Sequence, residues 1–150
     1  MQRSMTVLSL FALAAAMCGC GLLDAALPID AAESQRLANL RYPQTAPLGE
    51  DLDIRVVRDR RWINLANLTP RAYDKPYLWL NRQYVAQVGR ITVGTGNRFV
   101  LTHFINEHGE PFPIGALLAP DKARPLISAD LFDPTSGQMH RLLVRTAGQD

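Results

Sequence analysis

Three groupings of side chains in this sequence have the types and spacing for chemistry. His103, Glu107, His108 and Glu110 put two imidazoles and two carboxylates close together in sequence, a donor set that zinc takes when such groups converge. Metalloprotease spacings rely on a helix to bring their ligands onto one face. Here His103 belongs to the alternating stretch Arg98–Phe104, which reads as a strand, and His108-Gly109 falls in the turn-rich stretch Asn106–Pro113. The cluster therefore reads as a solvated turn, and a metal-dependent hydrolase on His103, His108 and Glu110 is the most distant alternative. Ser128, Asp130 and His140 are the second grouping. Ser128 and Asp130 alternate on one expected strand and His140 sits on its hairpin partner, the residue types of a nucleophile–base–orienter triad. No serine stands in a Gly-x-Ser-x-Gly elbow, and the polar faces of ordinary hairpins carry the same residues. The third, Gly94-Thr95-Gly96, follows the apolar Ile91-Thr92-Val93 as a phosphate loop would. A helix N-terminus must follow to offer its amides, and Phe99-Val100-Leu101 is a strand signal instead. No catalytic residue, metal site or cofactor is expected from these groupings.

The aromatic residues carry the stronger binding signal. Trp62, Tyr73, Tyr77, Trp79 and Tyr84 lie within a short span. If Ile63/Leu65 and Leu78/Leu80 face a core, strand alternation sends Trp62, Tyr77 and Trp79 to the opposite face. Exposed rings there could stack on sugars or anchor a protein partner. The competing reading is a second buried face, because tryptophan is highly buried on average.

The elements that would position these residues are short strands. Leu52, Ile54 and Val56 alternate with Asp53 and Arg55, and Ile63 and Leu65 share a face. Tyr77–Leu80 is strongly β-favouring, and Asn81-Arg82 is a tight turn into Gln83-Tyr84-Val85. Leu126–Phe132 and Met139–Arg145 flank Asp133-Pro134-Thr135-Ser136-Gly137, a hairpin signal. The spacing predicts an all-β fold, a small β-sandwich. Asn67-Leu68-Thr69 fits a glycosylation acceptor pattern, but with Pro70 next it reads as a turn. The run from Trp62 to Leu80 resembles immunoglobulin-like domains of bacterial envelope proteins, a resemblance that implies a fold class and no function.

The N-terminus has a different character. Arg3 is the only charge before Asp24, and Met5–Met17 is apolar or small. The run suits a signal-peptide core and is shorter than the roughly 20 residues a spanning helix needs. It ends in Met17-Cys18-Gly19-Cys20. This stretch resembles the lipobox of bacterial lipoprotein precursors, with Gly19 before the modified Cys20. Met17 stands where the family usually has Leu, and Cys18 is unusual between them. The resemblance implies cleavage before Cys20 and acylation of Cys20, with two or three lipid chains, enough for stable anchoring. Gly21 in place of an Asp implies sorting to the outer membrane. Uncleaved anchoring, or ordinary cleavage after Ala14-Ala15-Ala16, are the alternatives.

The expected organisation is a signal peptide over 1–19, a lipidated tether over 20–52 and the β domain over 53–147. In the tether, Asp30-Ala31-Ala32-Glu33 matches a capping box for a helix from about Ala31 to Arg41, stopped by Pro43. That helix is either a frayed spacer or a cover for one edge of the domain. Processing at Cys20 removes Cys18 and leaves a domain without thiols or disulfides, held by its core alone. The full chain carries +2 at neutral pH, too little for a nucleic-acid footprint, and the excess of arginine over lysine reads as a composition bias. The function expected is a non-enzymatic envelope lipoprotein, an interaction or structural module facing the periplasm. Its partners would be the membrane, another envelope protein or cell-wall glycan. A carbohydrate-binding module using the aromatic face is the alternative.

Overall fold

The structure, a computed structural model, describes residues 28–115 and 123–145; Cys18 and Cys20, with the expected signal segment, lie outside them. The chain forms a helix α1 (Ala31–Ala38) and the strands β1 (Ile54–Asp59), β2 (Trp62–Asn67), β3 (Tyr77–Leu80), β4 (Tyr84–Gln87), β5 (Gly94–Val100), β6 (Ala129–Asp133), β7 (Gln138–Arg141) and β8 (Leu143–Arg145). They build two four-stranded sheets, in the orders β5-β2-β1-β8 and β4-β3-β6-β7. Alternation sends Ile54, Val56, Ile63 and Leu65 of the first sheet against Leu78, Leu80, Ala129 and Leu131 of the second, and Phe104 and Phe112 fill the end of this core. The fold is the small all-β sandwich expected.

One edge of the sandwich is closed by parallel pairing. Met139 donates its amide to the Pro47 carbonyl at 2.9 Å, Gly49 to Met139 at 2.9 Å, and Leu52 to Arg141 at 3.0 Å. Past Leu142 the chain leaves the second sheet, and β8 pairs in parallel with β1 through Arg55↔Leu143, Val56↔Val144 and Val57↔Arg145. Residues 47–57 and 139–145 therefore run side by side, starting in one sheet and finishing in the other. His140 is buried under this seam, 1 % exposed. Its Nδ1 lies 2.9 Å from the Glu50 carbonyl, which only accepts, so Nδ1 carries the proton. Nε2 has no hydrogen-bond partner among the described residues. A Cβ on Gly49 would occupy the space of the His140 ring.

The N-terminal segment is a third layer. Leu37 and Ala38 of α1 pack with Trp79, Val85, Ile105 and Met139 on the outer face of the second sheet, and Ile29, Leu40, Tyr42 and Ala46 extend this cover. The expected capping box does not form. Asp30 makes no side-chain cap bond, and Glu33 instead accepts two bonds of 2.7 Å from Arg36. A charged bidentate pair outcompetes a single backbone cap. Arg36 also donates to Tyr77 Oη and Gln87 Oε1, both at 3.1 Å, so the pair docks the helix onto the sheet. Several strand limits differ from expectation: the run Leu126–Phe132 becomes strand only from Ala129, and Met139–Arg145 splits at Leu142 into β7 and β8 of different sheets. Ile91 makes a single bridge to Tyr73, and the chain turns into a 3-10 turn at Leu101–His103, so β5 ends at Val100. Ile105 pairs with Val85 through two bonds of 2.9 Å, so both edges of the second sheet are covered. Among the described residues, no helix is long and apolar enough to cross a membrane.

Overpacking a core costs about 1–3 kcal/mol. Gly49→Ala is expected to lower stability by that order, read as a shift of the urea midpoint with an unchanged slope. The cost should shrink in a Gly49→Ala/His140→Ala double variant, because the collision partner is gone. Strict additivity would show that the imidazole is not what the new methyl meets.

Candidate functional site

The three aromatic residues expected on one face are separated. Trp62 lies on the outside of the first sheet, half-buried, with the Arg98 guanidinium 4.3 Å from its ring centroid. Tyr77 and Trp79 lie on the outside of the second sheet, across the sandwich. Tyr77 carries Arg36 over its ring at 5.8 Å. Trp79 is 4 % exposed and meets the edge of Tyr42 at 5.5 Å and 88°. The alternation argument was sound for Ile63/Leu65 and Leu78/Leu80, which do face one core. It could not tell that β2 and β3 belong to different sheets, so that two outer faces point opposite ways. The three rings do not share one face: Trp62 and Tyr77 are half-buried on different sheets and Trp79 is buried.

A concave site does form where Trp79 lies. The strap residues Leu40, Arg41, Tyr42 and Gln44 make one wall of a groove of about 440 Å³. Asn106, Glu107, His108 and Glu110 make the other, Trp79, Tyr84, Val85 and Ile105 its floor, and Arg82, Gln83 and Arg124 its end. The turn at that end is closed by the Gln83 amide donating to the Leu80 carbonyl at 3.1 Å. Both central residues have positive φ, 51° at Asn81 and 56° at Arg82, the mark of a type I′ turn. Arg82 lies 5.7 Å from the Tyr42 ring centroid, and Arg124 lies 5.4 Å from that of Tyr84. The Asn106 side chain shapes the opposite wall, accepting from the His108 and Glu110 amides at 2.9 Å each.

A buried acid underlies the strap. Asp130 is 3 % exposed and accepts from Tyr42 Oη at 3.2 Å, with Arg82 Nε at 3.9 Å. Burial raises its pKa above the ordinary carboxylate range, against the opposing pull of the Tyr42 bond and the Arg82 and Arg141 charges. Burial, then the nearby Asp130 charge, raises Tyr42 in turn. The register pairs His140 with Leu131 and Arg141 with Asp130. His140 therefore faces the core and Asp130 the outer face, and no Ser128–His140–Asp130 series can form. Around the other grouping, His108 Nε2 lies 3.7 Å from Glu107 Oε1, but among the described residues no group of three or more His, Cys, Asp or Glu could hold a metal ion. Gly94-Thr95-Gly96 opens the edge strand β5 and folds around Asn97, which accepts from the Thr92 amide at 2.8 Å and donates to its carbonyl at 3.0 Å. Asn67 likewise accepts from Thr69 Oγ1 at 2.7 Å and donates to the Arg71 carbonyl at 2.8 Å, a local turn.

No family model, no curated protein and no solved structure matches this chain. The groove therefore stands on its own geometry. Sequence patterning missed it because its walls come from the strap, a turn and a loop far apart in the chain. The one advance signal was Asn81-Arg82, a turn whose second residue is not glycine.

Two measurements check this site. With Trp62→Phe, the remaining Trp79 should emit in the blue and resist iodide, whereas Trp79→Phe should leave a redder Trp62 that responds to Arg98→Ala. Asp130 has a folded pKa above its unfolded one. Its stabilising contribution is therefore complete below about pH 4 and is lost as pH rises through the folded value. Asp130→Asn should gain stability relative to the parent as pH goes from about 4 to 7, read by thermal melts at both ends. A pH-independent difference would sink the burial argument.

Proposed function

We propose that this chain is a non-enzymatic lipoprotein of the bacterial cell envelope, acylated at Cys20 and held at the periplasmic face of the outer membrane, where it docks a partner. The observation that carries the reading is Met17-Cys18-Gly19-Cys20 at the end of the apolar run, followed by Gly21. A second observation gives the anchor a structural meaning. Cys20 stands only eight positions before Pro28, where the described fold begins. A fully extended chain spans at most about 3.6 Å per residue, so an acylated Cys20 keeps the domain within roughly 30 Å of the bilayer surface. The helix and strap after Pro28 do not lengthen that leash, because they are packed on the sandwich.

The docking part rests on the groove. It is a concavity in which the charged side chains of Arg41, Arg82, Glu107, Glu110 and Arg124 converge over buried rings, and convergent polar groups in a concavity are what fixes a ligand. The alternative, a module for cell-wall carbohydrate, would use this groove and not a joint Trp62/Tyr77/Trp79 face, since Trp62 lies on the other sheet. Arg98, Arg36 and Tyr42 already lie against those rings.

The test is the mass of the N-terminal peptide of protein expressed in membranes. A peptide beginning at Cys20 with added acyl mass is expected, and it should be absent from the Cys20→Ala variant. A free peptide beginning at Met17 would mean ordinary cleavage and a soluble product.

A further inference from the structure

The end of the sandwich that the N-terminal segment reaches first is also where the first sheet gathers positive charge. Pro28 borders a hollow together with Thr102 and Pro111. The Leu101 amide, next to Thr102, donates to the Arg61 carbonyl at 2.9 Å. The leash to Cys20 therefore meets the domain close to the β1–β2 turn, Arg60-Arg61, which the Asp59↔Trp62 pair closes. Arg60 holds φ of 52°, where glycine would be the less strained residue. Both side chains are exposed, and neither has a hydrogen bond, ion pair or ring contact among the described residues.

Strand alternation adds two cations beside the turn. Phe99 and Val144 pack against the core, so Arg98 and Arg145 point outward. The register sets Arg98, Asn64, Val57 and Arg145 in one row across the four strands. Arg98 lies 4.3 Å from the centroid of the half-buried Trp62 and 3.8 Å from Asp59. Four exposed guanidiniums, of Arg60, Arg61, Arg98 and Arg145, are thus set around one carboxylate, Asp59. The outer face of the second sheet is covered by α1 and the strap. Clustered arginines are drawn to anionic lipid, and tryptophan favours the headgroup level of a bilayer.

We infer that the Arg60-Arg61 turn and the adjoining outer face of the first sheet rest on a bilayer containing anionic phospholipid, with the four guanidiniums bonding lipid phosphates. Charge complementarity selects the lipid, and the place where the leash meets the domain selects the face. The inference rests on the anchor half of the proposed function and is independent of the groove. Held within roughly 30 Å of the surface, the face meets headgroups at a high effective concentration, so a few arginines suffice to set its orientation.

The test uses full-length Trp79→Phe protein, where Trp62 is the remaining tryptophan and sits one position after the turn. The protein is placed in vesicles of phosphatidylcholine, alone or with phosphatidylglycerol, each with and without a nitroxide on a fraction of the headgroups. Nitroxide quenching of Trp62 is expected to be about twofold stronger or more in the phosphatidylglycerol vesicles. It should fall toward the neutral-vesicle level at about 1 M salt, where the screening length is only ~3 Å. Added in this background, Arg60→Gly/Arg61→Gln should bring quenching to the neutral-vesicle level while the protein stays folded, because glycine suits the positive φ at the turn. Lys75→Gln removes a charge beside Gln87 of the second sheet and should leave quenching unchanged. Equal quenching in both kinds of vesicle, unchanged quenching in the folded double variant, or an equal loss with Lys75→Gln would overturn the inference. The mass of the N-terminal peptide is read on the same preparation. An acylated protein that fails these comparisons sinks the face and leaves the anchor standing, whereas an unacylated one sinks the anchor and, with the leash gone, the inference too.

Discussion

The parallel pairing of residues 47–57 with 139–145 is the constraint on which the rest of the structure depends. A sandwich of two sheets has four edges, and unpaired edges are open to other chains. Here two segments that cross together from one sheet to the other join both sheets along one side. The crossing works only because Gly49 has no side chain, so that the His140 ring fits against the strap. Once the strap is fixed there, its upstream part must run across the outer face of the second sheet. That brings Tyr42 to Asp130 and Trp79 and forms one wall of the groove. Edge closure, the covered aromatic face and the candidate site are thus consequences of one pairing.

Arginine is the second recurring device. The chain has fourteen arginines and two lysines, and six guanidiniums lie over aromatic rings: Arg36, Arg58, Arg71, Arg82, Arg98 and Arg124. Such contacts occur about once per 70–80 residues in proteins generally. A planar, weakly hydrated cation can cover a ring while its edge still hydrogen-bonds, which an ammonium cannot do. A domain this small cannot bury every aromatic face, and these arginines cover much of what remains. Composition alone reads the excess as bias; the structure gives six of the fourteen a packing role.

Much of the sandwich was legible in the sequence because strand alternation is a local property. Ile54/Val56, Ile63/Leu65 and Leu78/Leu80 were read correctly as core, as were the β3–β4 turn and the β6–β7 hairpin around Asp133–Gly137. Sheet membership is not local, and Trp62 and Trp79 showed it by landing on opposite sides. The helix was legible through its Asp30–Glu33 start, but not its use of Glu33, because Arg36 serves as bridge to Tyr77 and Gln87 only once the sheet is present. The groove was almost entirely hidden. Leu40–Gln44, Arg82 and Asn106–Glu110 become neighbours only after the strap has docked. Only Arg82 left a trace, as a bulky residue where the turn calls for glycine.

The direction of the seam has a mechanical consequence. In a parallel pair, the start of 47–57 and the end of 139–145 lie at opposite ends of the ladder. A pull between the N-terminal and C-terminal sides of the domain therefore slides the two segments past each other. The bonds of the seam's two stretches, 47–52 with 139–141 and 55–57 with 143–145, lie across that sliding motion, whereas a hairpin pulled from its open end parts one bond at a time. The edge closure that shapes the groove thus also resists sliding between these two segments, once the packed helix and strap upstream have been peeled away.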